Sequence, residues 1–98
     1  MNKQDYLDTL DTFIHQPETV DMPDEIIPVA MWLRAYMPAD ENDPDVELHS
    51  SLDIAGIVSD VAMVSINDIS RLLVLNGYSL SVRNRRFPEW IMKPIDNE

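Results

Sequence analysis

Residues 65–94, SINDISRLLVLNGYSLSVRNRRFPEWIMKP, decide how the rest of the chain is read. Ser65 stands where an N-cap hydroxyl takes an exposed helical amide, Asp68 follows three residues on as in a capping box, and Asn76-Gly77 supplies the left-handed residue that closes a helix. Between these signals Ile66, Ile69, Leu72 and Leu73 recur at helical spacing, which predicts a helix of about eleven residues with a buried stripe. Asn67, Ser70, Arg71 and Val74 are left toward solvent or a ligand. After Gly77 the period changes to two: Tyr78, Leu80 and Val82 alternate with Ser79, Ser81 and Arg83, a turn falls at Asn84, Arg85 and Arg86, and residues 87–92 return. Pro88 confines the returning strand to a sheet edge. The expectation is a hairpin over residues 78–92, packed through Tyr78 and Leu80 on Ile69, Leu72 and Leu73, with three arginines at its tip.

Working outward, Ser50 or Ser51 caps a preceding helix in which Ile54, Ile57, Val58 and Val61 follow the i, i+3, i+4, i+7 rule. A short link at residues 62–64 joins it to the capped helix. Residues 39–49 carry five acids from Asp40 to Glu47, with Pro44 and no apolar period, and read as a solvated loop. Before them, Tyr6, Leu10, Phe13 and Ile14 mark a helix over residues 3–16 that Pro17 ends. Pro23, Asp24 and Glu25 read as a short turn, followed by a helix from about Ile27 to Pro38 whose inner face holds Ile26, Val29, Ala30, Leu33 and Tyr36 or Met37. Trp32, Trp90, Tyr36 and Tyr78 are expected in core or inter-helix packing and not as a base-stacking platform.

Helix, short link, capped helix and hairpin is the order of a winged helix-turn-helix. The fold expected is therefore mainly α with a small β-hairpin as its only sheet: one domain over residues 1–98, with an acidic helical part (1–38), an acidic loop (39–49) and a winged helix-turn-helix (50–94). The run ISRLLVLNGYSLSVRNRRFPEWIMKP resembles the C-terminal winged-helix segment of phage and mobile-element replication proteins of the virulence-associated E and primase type. The likeness spans about residues 50–94. It implies engagement of nucleic acid through Asn67, Ser70 and Arg71 on the helix and Arg83, Arg85 and Arg86 on the wing. The chain departs from that family in lacking any ATPase or primase motif and in its acidic N-terminal half.

Charge divides the chain in two. Residues 1–49 hold twelve acids against Lys3 and Arg34, a net of −10, whereas residues 50–98 hold six acids against five bases, a net of −1. A total of −11 opposes approach to a polyanion. Two interfaces on opposite halves therefore stay open. The first is duplex DNA, with the recognition helix in the major groove, the wing arginines on the backbone, and a homodimer to bury enough surface. The second is a nucleic-acid-handling protein, with carboxylates of Asp8, Asp11, Asp40, Glu41, Asp43 and Asp45 mimicking DNA phosphates in an inhibitor of the anti-defence type. A third role, as an assembly subunit joined through the winged helix alone, also remains.

With 45% apolar and 26% charged residues, the 98-residue chain has the composition of a folded globular protein. The lack of cysteine excludes disulfides and thiol chemistry. Asp5 and Asp8 within the first ten residues do not suit a secretory leader, and no apolar run reaches membrane-spanning length, so a soluble, cytoplasmic protein with no membrane partner is expected. Asp40, Asn42, Asp43 and Asp45 only superficially resemble a calcium loop: Pro44 takes a ligand position, Asp45 replaces the turn glycine, and Ser51 stands where a bidentate glutamate is needed. Asp11, His15 and His49 do not complete a zinc shell. No nucleophile elbow or phosphate-binding glycine loop is present. The expectation is a protein that is not an enzyme, without cofactor, metal or small-molecule substrate.

Overall fold

The computed structural model describes residues 2–81 and 88–95. Helix α1 (Lys3–His15) starts on Asn2, whose side chain accepts from the Asp5 amide at 2.8 Å, and it buries Tyr6, Leu10 and Phe13. A 3-10 turn at Pro17–Val20 closes at Asp21 in the left-handed region (φ 55°), and a second at Asp24–Ile26 leads into α2 (Ile27–Leu33). Pro28 falls in the first turn of α2, where its missing amide deprives the helix of no bond.

Helix α2 ends at Leu33 and does not run on to Pro38. Tyr36–Pro38 is strand β1, Glu47–His49 is β2, Leu80–Ser81 is β3 and Glu89–Pro94 is β4. The cause is a demand from far along the chain. Strand β4 has two edges to satisfy, and Trp90 and Met92 are paired on both. One edge takes β2, in the register Glu47↔Met92 and His49↔Trp90; the other takes β1 at one end (Pro38↔Met92) and β3 at the other (Leu80↔Trp90), all antiparallel. The sheet thus has four strands, not the hairpin alone, and the stretch expected as an acidic loop over 39–49 surrenders its last three residues to it. The returning strand is central rather than peripheral. Pro88 does not prevent this, because it precedes the first paired residue.

Helix α3 (Ser51–Ile57) carries a full capping box: Ser50 Oγ accepts from the Asp53 amide at 3.0 Å, and the Asp53 carboxylate accepts from the Ser50 amide at 3.2 Å. It is shorter than its apolar pattern implies. Ser59 directs both its amide and its hydroxyl to the Gly56 carbonyl, which turns the chain out of the helix. Ile54 and Val58 stay buried, but Ile57 and Val61 are exposed. Helix α4 (Ile66–Leu75) has the expected ends: Ser65 Oγ accepts from the Asp68 amide at 3.1 Å, and Gly77 follows with φ 87°.

The described residues are mainly helical, with four α-helices and one small antiparallel sheet. A single apolar cluster joins α1, α2, α3, α4 and β4 through residues such as Leu10, Leu33, Ile54, Leu72 and Met92. Tyr6 and Tyr78 tie α1 to the entry of the hairpin, with their hydroxyls 2.5 Å apart and their rings edge to face. Trp32 packs against Tyr36 with the ring planes tilted by 41° and the centroids 4.8 Å apart. Among the described residues no helix is long and apolar enough to cross a membrane.

Candidate interaction surface

Besides Ile57 and Val61, two more residues of the apolar sequence pattern leave the core, and these two define the surface of interest. Ile66 was expected inside α4 and Leu80 inside the hairpin, yet each is 47% exposed. Both sit on the lip of a groove of about 480 Å³ that runs between the start of α3, the start of α4 and the hairpin, lined by Ser50, Ser51, Leu52, Ile66, Leu80 and Trp90 among others. Leu80 is the cross-strand partner of Trp90 and shares its face of the sheet, but only Trp90 reaches under α3, where its indole donates to Ser51. Leu52, on the outer side of α3, is 59% exposed.

The floor of the groove is a relay of hydrogen bonds. Trp90 Nε1 donates to Ser51 Oγ at 2.9 Å, Ser51 and Ser70 hydroxyls are 2.8 Å apart, and Ser70 Oγ donates to the Ile66 carbonyl at 2.9 Å. Because Ser70 spends its proton on a carbonyl that can only accept, Ser51 must be the donor between the two hydroxyls. Each side-chain hydrogen of this relay has a partner, and the relay links β4, α3 and α4. Ser70 is therefore half-buried and structurally engaged, not directed outward as expected.

Asn67 and Arg71 do lie on the exposed side of α4. Arg71 bends back toward its own molecule: its guanidinium is 3.9 Å from Asp68 Oδ1 and 3.4 Å from the Asp21 carbonyl. Two other cations behave alike. Arg34 pairs with Asp11, and Lys93 lies 3.9 Å from Asp43. The wing residues Arg83, Arg85 and Arg86 lie outside the described residues. A second hollow of about 310 Å³, lined by Ser70, Arg71, Val74 and Leu75, shares Ser70 with the first, so an apolar depression continues along α4.

The acidic candidates separate into two groups on different elements. Asp8 and Asp11 belong to α1, where Asp8 accepts from Gln4 at 2.8 Å and Asp11 holds Arg34. Asp40, Glu41, Asp43 and Asp45 belong to the connection between β1 and β2, and part of their charge is turned inward. Asp43 Oδ2 accepts from the Asp40 amide at 2.9 Å, Asp40 accepts from the Asn42 amide at 3.3 Å, and Asp45 adopts the left-handed region (φ 62°). Among the described residues no three metal-ligating side chains converge.

Sequence reasoning missed Leu52, Ile66, Leu80, Pro88 and Trp90 as a group. Leu52 alone carried a signal, since it falls off the stripe of Ile54 and Val58. No protein-family model matches the chain, and neither the curated proteins nor the solved structures give a significant match.

Proposed function

We propose that this chain is a non-enzymatic winged-helix module that acts by contact with protein, through the face made by α3, α4 and the hairpin. The order β2, α3, α4, β3, β4, with β4 between β2 and β3, supports the winged-helix reading. The observation that carries the choice of protein over DNA is the apolar groove: Leu52, Ile66 and Leu80 stand where a DNA reader needs donors and cations. Among the described residues a polyanion meets there one arginine, itself drawn toward Asp68 and the Asp21 carbonyl. Apolar groups in water gain about 25 cal/mol per Å² on being covered, so a groove of this kind favours an apolar partner surface.

Duplex binding is the second reading, favoured by Asn67 and Arg71 on the exposed side of α4 and by the sequence of residues 82–87, in which Arg83, Arg85 and Arg86 fall between β3 and β4. It keeps the resemblance to the replication-protein segment as its rationale. Fluorescence anisotropy on a mixed-sequence duplex, at low salt, separates the two. The protein reading expects no saturable binding. Binding that is lost with Arg83, Arg85 and Arg86 changed to alanine, but kept by Ile66→Glu, overturns it. Neutralising Asp8, Asp11, Asp40 and Asp43 tests the inhibitor form of the protein reading, which places the contact on the acidic half instead.

A further inference from the structure

We infer that the occupant of the groove is a second copy of this chain, packed α4 against α4 about a two-fold axis near Ser70. This rests on the protein-contact reading and names its partner. Two independent distributions coincide on the same half of the molecule. Among the described residues, eight of the nine exposed large apolar side chains lie between Leu52 and Leu80; only Met31 lies elsewhere. Residues 50–81 also hold just three acids, Asp53, Asp60 and Asp68, against Arg71, whereas residues 1–49 hold twelve against two. Residues 50–81 are thus the stretch of the chain that two copies can bring together with the fewest carboxylates between them.

The helix face is self-complementary. Ile66, Ser70 and Val74 succeed one another at four-residue spacing and form one ridge, with the smallest side chain in the middle. In an antiparallel pair of α4 helices crossing at Ser70, Ile66 of each copy meets Val74 of the other, so one contact is made twice, as a closed two-fold interface requires. Leu52 and Leu80 flank the ridge and extend the covered area. Val74 is 61% exposed in the single chain and Met63, just before α4, is 90% exposed.

Association of this kind carries its own salt signature. Two chains of −11 repel, so dimerisation tightens as added salt shortens the Debye length from about 30 Å at 0.01 M to about 3 Å at 1 M. Binding to DNA or to a basic partner weakens under the same change. The test is sedimentation equilibrium of the full chain at low and high salt. The result expected is a species of twice 11.3 kDa that gains population with salt, and a dissociation constant raised about tenfold or more by Ile66→Glu with unchanged circular dichroism.

Because the chain has no cysteine, a mixture of Ile66→Cys and Val74→Cys supplies a second readout. Oxidation should link the two variants to each other and leave each alone largely uncrosslinked. A monomer up to millimolar concentration, or a dimer indifferent to Ile66→Glu, overturns the second copy as occupant. If the monomer nevertheless binds an apolar amphipathic helix, probed with a Leu/Lys model peptide, and Ile66→Glu abolishes that binding, the protein-contact reading survives without the dimer. If Ile66→Glu changes neither measurement, both fall.

Discussion

Replacing Tyr6 by phenylalanine should damage the fold far more than the same change at Tyr78, although the two hydroxyls touch. Tyr6 donates to the Leu33 carbonyl at 2.8 Å, and that carbonyl ends α2, where no further turn can supply an amide. With its only proton committed, Tyr6 accepts from Tyr78 across 2.5 Å. Tyr78→Phe deletes the outermost donor and leaves the Tyr6 to Leu33 bond in place, at a cost of about 0.5–1.5 kcal/mol. Tyr6→Phe removes both bonds and strands a buried carbonyl and a buried hydroxyl, which raises the cost to about 2–4 kcal/mol. The double variant should be less destabilised than the sum, because the orphaned Tyr78 hydroxyl is gone.

Urea denaturation followed by circular dichroism measures this directly. With a slope of about 1.5 kcal/mol per M, the midpoint should fall by roughly 1 M or less for Tyr78→Phe and by about 1.5–2.5 M for Tyr6→Phe. Equal losses, or a larger loss at Tyr78, would refute the direction assigned to the two hydroxyl bonds. A double variant that loses the full sum would refute their coupling.

Two further outcomes follow from named side chains. Burial pushes the Tyr6 hydroxyl up to about 12, with the hydrogen bond from Tyr78 pulling the other way, and burial, then the neighbouring Tyr6, raises Tyr78 as well. An unfolded tyrosine ionises near 10, so the stabilisation is complete below pH 10 and is lost as pH rises through the folded values; each group steepens the decline by up to about 1.4 kcal/mol per pH unit. Tyrosinate absorbance and helical signal should therefore change together above pH 10, and ionisation of all three tyrosines with the helix intact would contradict it. At Gly77, a Cβ would meet nothing within 4 Å, so Gly77→Ala should cost only the backbone strain of φ 87°, about 1–2 kcal/mol. Gly77→Asn should cost less in the same urea titration.

Much of this architecture was legible locally. Ser65 with Asp68, Ser50 with its following turn, and Asn76-Gly77 are interactions between residues a few positions apart, and the structure keeps each of them. The α1 stripe of Tyr6, Leu10 and Phe13 was equally plain, because a helix that packs on one side repeats its apolar residues at its own period. Strands β1 and β2 were not legible. Each is three residues long, too short to express a period of two, and each exists because β4, some fifty residues away in the chain, has unpaired backbone groups on both edges.

The candidate surface divides in the same way. That Asn67, Arg71 and Val74 face outward follows from helical geometry and the buried positions of Ile69, Leu72 and Leu73. That Ser70 belongs to an internal relay, that Leu80 leaves the core, and that Arg71, Arg34 and Lys93 lie against the molecule's own acids depends on which elements lie beside them. Hydrophobic spacing and capping bonds act over one or two turns and are written in the chain itself. Which strand fills the open edge of another, and which apolar face is left uncovered once the core has closed, are decided only when distant segments compete for the same space.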